Sequence, residues 1–107
     1  MAFLFTASSI EINISSGTDY VSSDVSGTNP TFNLKKFANY DFIIADGTFN
    51  TAIRNGITDS SEVVGAFNND TVNGKTNTTI MWTPTVAGTY YYVNVDNTSK
   101  NGQIIVS

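Results

Sequence analysis

A chain of 107 residues makes one domain, long enough for a two-sheet core and too short for a second. Nine acidic against five basic side chains give a net charge of −4, which leaves no cationic footprint for nucleic acid or anionic lipid. The absence of cysteine and histidine removes disulfides, thiol chemistry, the usual general base and the commonest metal ligand.

No stretch keeps a helical apolar period over a dozen residues, and glycine or Asn-Gly interrupts the chain throughout, so the pattern is all-β. The opening run Met1-Ala2-Phe3-Leu4-Phe5 has no basic lead and ends at Thr6. It reads as neither a secretion signal nor a membrane span, and synthesis in a host cytoplasm is the expectation. Residues 2–6 and 9–14 read as entering strands, the second with Ile10, Ile12 and Ile14 alternating with Glu11 and Asn13. The polar stretch that follows carries one short edge strand, Tyr20-Val21. In residues 30–36, Phe32 and Leu34 point inward, and Lys35 and Lys36 discourage edge pairing. Residues 39–46 form a central strand with Tyr40, Phe42 and Ile44 on one face.

Residues 47–61 are the longest irregular stretch, with Asn55-Gly56 as a tight-turn signal. Residues 62–67 read as a short strand or a single helical turn, and residues 68–76 as loop or hairpin. A strand ending in Trp82 then stops at Pro84, which cannot donate to a ladder. After Ala87-Gly88 comes the aromatic strand Thr89-Tyr90-Tyr91-Tyr92-Val93-Asn94-Val95, a polar loop, and a last strand opened by Gly102 and running from Gln103 to Val106. Tyr91 is read as core with Val93 and Val95, and Tyr90 and Tyr92 as the wetter face. Seven or eight strands at this spacing suit a Greek-key β-sandwich.

The ending, with an apolar strand, Pro84, Ala87-Gly88-Thr89-Tyr90-Tyr91-Tyr92, a short loop and Gly102-Gln103-Ile104-Ile105-Val106, resembles that of the cupredoxins, the plastocyanin-like copper proteins. The resemblance implies a cupredoxin-like sandwich, with Phe32-x-Leu34 and Tyr40-x-Phe42-x-Ile44 as its middle hairpin. In that family, Cys, His and usually Met on the last loop bind copper. Here the Cys place falls on Val93, the His place on Asp96 and the Met place near Ser99, with one surplus residue before Gly102. A further His place falls at Gly47-Thr48. None of these is a ligand of that kind, and a blue copper centre needs a thiolate and two imidazoles. No metal and no cofactor are expected.

Other candidates weigh less. Asp96 to Gly102 has the look of a calcium loop, yet it holds one carboxylate and includes Lys100. Asp59 and Glu62 are an acidic pair without a nucleophile or base to complete a catalytic set, so no enzyme is expected. Sequons at Asn13, Asn69, Asn77 and Asn97 are what a chain with 13 Asn, 15 Thr and 11 Ser produces by chance. Such a surface on a sandwich resembles small virion proteins of tailed bacteriophages. That resemblance implies a structural role in the virion, as a capsid decoration (cement) subunit binding a protein lattice in a homo-oligomeric or lattice context, without nucleic acid or membrane. The contact is expected on Met1, Phe3 and Phe5 with Phe49 and Ile53. The alternative is a glycan- or cell-surface-binding module of a tail fibre or adhesion protein, using Tyr90 and Tyr92 as stacking surfaces.

Overall fold

The computed structural model describes residues 9–44, 49–58, 63, 65–66 and 78–107. Among these the chain is all-β, with eight strands in two four-stranded sheets. In order they are β1 (Ser9–Ser16), β2 (Tyr20–Val21), β3 (Phe32–Leu34), β4 (Asn39–Ile44), β5 (Thr51–Arg54), β6 (Thr78–Trp82), β7 (Gly88–Asn94) and β8 (Asn101–Val106). One sheet has the order β2-β1-β4-β6 and the other β3-β8-β7-β5.

The inward residues of both sheets form one core. β4 alternates strictly, with Tyr40, Phe42 and Ile44 buried and Asp41 and Ile43 half-exposed. On either side, Ile12 lies opposite Phe42 and Ile14 opposite Ile44, while Ile80 and Trp82 of β6 oppose Phe42 and Tyr40. β4 is therefore central, as its pattern implies. The second sheet contributes Phe32, Leu34, Ile53, Tyr92, Ile104 and Val106. The rings make edge-on contacts: Tyr20 lies 4.9 Å from both Phe49 and Tyr92, and Trp82 lies 5.0 Å from Tyr90. Such pairs add roughly 0.5–1.5 kcal/mol each beyond area burial.

Three sequence expectations are corrected. β3 and β4 are not a hairpin: β3 runs parallel to β8, and β4 lies in the other sheet, parallel to β1. The turn between them crosses from sheet to sheet, because Phe37 adopts a left-handed conformation (φ 67°) and sends its N–H to Pro84 O at 2.7 Å. Second, the stretch expected to be irregular contains β5, whose Thr51, Ala52 and Ile53 are fully buried beside β7. Third, β7 has the opposite phase. Tyr92 faces the core, fully buried, while Tyr91 is paired with Arg54 and Gln103 on the outer face. Of residues 62–67, Val63 is buried and donates its N–H to Ile53 O, and no strand is found at the described positions. Residues 2–6 and 68–76 lie outside the described residues.

Candidate functional site

The β7–β8 loop, where the cupredoxin resemblance places ligands, is closed on itself. Asn94 N–H donates to Lys100 O at 2.9 Å, Lys100 N–H to Asn97 O at 3.0 Å, and Asn97 N–H to Asn94 O at 3.2 Å. The amide side chains complete the ring. Asn94 Oδ1 accepts from Asp96 N–H at 3.1 Å, and Asn97 Oδ1 accepts from the Ser99 hydroxyl at 2.7 Å and from Ser99 N–H at 3.3 Å. Asn101 Nδ2 donates to Thr98 O at 3.0 Å. Asparagine suits this place because its short amide satisfies backbone groups two or three residues away, as turns require.

The loop is also tied to its surroundings. Val95 N–H donates to Asn50 O at 2.9 Å, and Asn50 Nδ2 to Asp96 Oδ2 at 2.5 Å. The Lys100 ammonium lies 3.0 Å from Asp19 Oδ1, which also accepts from Asn29 Nδ2 at 3.3 Å. The hydrogen bond from Lys100, and then that from Asn29, hold the Asp19 carboxyl below its ordinary pKa of 3.8. Behind the loop end, Tyr20 Oη and Thr51 Oγ1 share a buried hydrogen bond of 2.8 Å, and Tyr92 Oη donates to Pro30 O at 2.5 Å. Burial pushes both phenols up, well above the ordinary tyrosine value, so both remain neutral.

Val93 is fully buried opposite Ala52 on the side of β7 away from Tyr92, and the residue at the end of the strand that shares the Tyr92 face is Asn94, 6% exposed. Counted from Asn94 instead of Val93, the expected places fall on Asn97 and Lys100, with no surplus residue before Gly102. The three places then hold two amides and an ammonium, none of them a thiolate, imidazole or thioether, so the residues present do not fit copper. Among the described residues no three acidic side chains cluster for a cation. The Gly47-Thr48 place, and Asp59 and Glu62, lie outside the described residues.

The remaining candidates separate. Phe49 is 8% exposed and packs on Tyr20, and Ile53 is fully buried in the core, so neither can be the contact surface expected of them. Met1, Phe3 and Phe5 lie outside the described residues. Tyr92 is fully buried and cannot stack on a glycan. Tyr90 is half-buried with its ring against Trp82 and its hydroxyl on Val86 O at 2.7 Å, at the wall of a shallow cavity of about 340 Å³ that Asn55 and Thr85 also line. The two tyrosines share a face, and it is the one turned to the core: Tyr92 is buried in it and Tyr90 packs against its margin. Sequence reading missed Phe37, whose ring is 69% exposed with the Lys36 ammonium 5.7 Å from its centroid. Its signal is an aromatic directly after two lysines, which by themselves suggest only edge charge.

The chain matches no protein-family model and no curated protein. Among solved structures it is similar to rusticyanin, a copper protein, at 23% identity and a TM-score of 0.64, over 96% of this chain and 80% of that one. It is also similar to amicyanin from Paracoccus versutus, at 18% identity and a TM-score of 0.58, over 96% of this chain and 85% of that one.

Proposed function

On a cupredoxin-like sandwich whose loop end does not fit copper, we propose a non-catalytic structural role, as a capsid decoration subunit of a tailed-phage virion that is made in the host cytoplasm. The observation that carries the reading is the closed loop end: the amides and the ammonium at the ligand places are spent on holding the loop. A surface solubilised by Ser, Thr and Asn, with 13% charged residues, suits attachment to protein through apolar and hydrogen-bonding contacts. The contact includes Met1, Phe3 and Phe5. Phe49 and Ile53 have no part in it, because they are core residues.

Co-sedimentation with purified capsids of the source virus tests this. The full chain should attach and stay attached at high salt, since screening acts on exposed charge pairs. A chain lacking residues 1–5 should stay in the supernatant. Attachment of the truncated chain, or no attachment of the full one, overturns the reading. With Tyr92 in the core, a glycan reader would rest on Tyr90 alone, with no second exposed ring beside it among the described residues.

A further inference from the structure

Phe37 is the most exposed large apolar side chain among the described residues, and it stands in a left-handed backbone conformation that bulky residues rarely adopt. The posture is fixed by the Phe37 N–H bond to Pro84 O, by Lys36 N–H to Ser107 O at 2.9 Å, and by Lys35 N–H to Tyr40 Oη at 2.8 Å. The backbone of Phe37 serves the crossing between sheets, yet among the described residues its ring meets only the Lys36 ammonium and otherwise stands in water. Strain held at an exposed aromatic points to an external use for the ring.

Beside this turn the sandwich is open. Among the described residues, β1 before Ser15 pairs with β4 alone and β3 with β8 alone, and residues of both strands line one opening. The opening is a mainly apolar groove of about 480 Å³, floored by Ile12, Leu34 and Tyr40, with Ile10 half-exposed at its lip and Glu11 and Asp24 on its rim. Asp24 accepts from Asn13 N–H at 2.7 Å and Asn13 Nδ2 at 3.3 Å, which fixes its carboxylate at the rim. The volume takes an aromatic side chain with room to spare.

Plug and socket match. One is an aromatic ring flanked by Lys35 and Lys36, and the other an apolar groove flanked by Glu11 and Asp24. Tyr40 belongs to both, lining the groove while bonding the Lys35 N–H. A projecting group and its complement lying side by side on one molecule satisfy the condition for an isologous two-fold contact, in which each copy gives what it receives. We propose that the chain forms a two-fold dimer in which Phe37 of each copy fills the groove of the other, with Lys35 and Lys36 facing Glu11 and Asp24. This does not rest on the capsid reading: a monomer that attaches to capsids refutes the dimer alone, and a dimer that ignores capsids refutes the attachment alone.

Sedimentation velocity on the full chain, from micromolar to millimolar concentration, tests the proposal. The expected result is a reversible monomer–dimer equilibrium that stops at two. Phe37→Asn should weaken it by about tenfold or more, as loss of a central aromatic anchor does. Asparagine tolerates the left-handed conformation, so this variant should keep or raise the melting temperature. Ile10→Lys, at the groove lip, should weaken the dimer similarly. Lys36→Glu should weaken it, and adding Glu11→Lys should restore it. A monomer throughout, growth beyond two, or a dimer whose dissociation constant is unmoved by both Phe37→Asn and Ile10→Lys would overturn the proposal.

Discussion

The ring of Tyr92 occupies the space that a Cβ on Gly102, its partner across β7 and β8, would need. The ring cannot retreat. Its hydroxyl is bonded to Pro30 O, with Tyr20 4.9 Å away and Phe32 5.5 Å away on the core side. Gly102→Ala should therefore destabilise the fold by about 1–3 kcal/mol or more, as overpacking does. Because the clash belongs to the pair, Tyr92→Leu should cost less in the Gly102→Ala background than alone. Urea unfolding of the four proteins checks this, and strictly additive losses would contradict it.

That pair also explains what the sequence could and could not reveal. β4 was legible because Tyr40, Phe42 and Ile44 alternate with Asp41, which fixes the phase. In β7, Tyr90, Tyr91, Tyr92 and Val93 are apolar or aromatic on both faces, so period two gives no phase. It is set by partners remote in sequence: Gly102 opposite Tyr92, and Ile53 opposite the same ring. The same ambiguity decides whether a count of candidate ligand places starts at Val93 or at Asn94. β5 was hidden for another reason. Four residues ending in Arg54 are too few to show alternation, and their burial comes from β7 rather than from their own pattern. The crossing between β3 and β4 depends on one left-handed phenylalanine, and no local rule places Phe37 there.

Trp82 is 4% exposed and stands between Phe42 and Tyr90, with centroids at 6.5 and 5.0 Å. Trp82→Ala should cost about 3–5 kcal/mol, a large share of the roughly 5–15 kcal/mol that holds a small domain. Native fluorescence from this one tryptophan should resist iodide. Free quenching by iodide in the folded protein, or a loss below the cost of an ordinary surface change, would contradict its place in the core.

Tyr20 and Tyr92 should stay protonated as long as the fold lasts. Burial raises both, with the Thr51 bond opposing it at Tyr20 and the neighbouring Tyr20 adding to it at Tyr92. A folded-state pKa raised above the unfolded value means that their contribution is complete below the ordinary tyrosine pKa and is lost as pH rises beyond it. An alkaline absorbance titration should show part of the signal from the five tyrosines appearing only together with unfolding. All five titrating smoothly while the circular dichroism stays native would contradict this.

Asp19 works in the other direction. Its folded-state pKa is depressed, chiefly by the Lys100 hydrogen bond, so its contribution is present above the ordinary carboxylate value and is lost as pH falls through the lower folded-state one. Lys100→Met should lower the melting temperature slightly at neutral pH, and the gap to the parent should close under acid. A gap that does not change with pH would mean that the ion pair adds nothing and that Lys100 acts by packing alone.

The central claim is that the β7–β8 loop end is a hydrogen-bonded clasp and not a metal centre, and adding Cu(II) to the purified chain tests it most directly. Asn94, Asn97 and Lys100 offer no thiolate or imidazole, so no strong visible absorption should develop and the melting temperature should not rise, since a ligand that binds the native state must stabilise it. A saturable rise in melting temperature at equimolar copper that disappears on Asn94→Ala or Asp96→Ala would place a metal site in this loop and contradict the account.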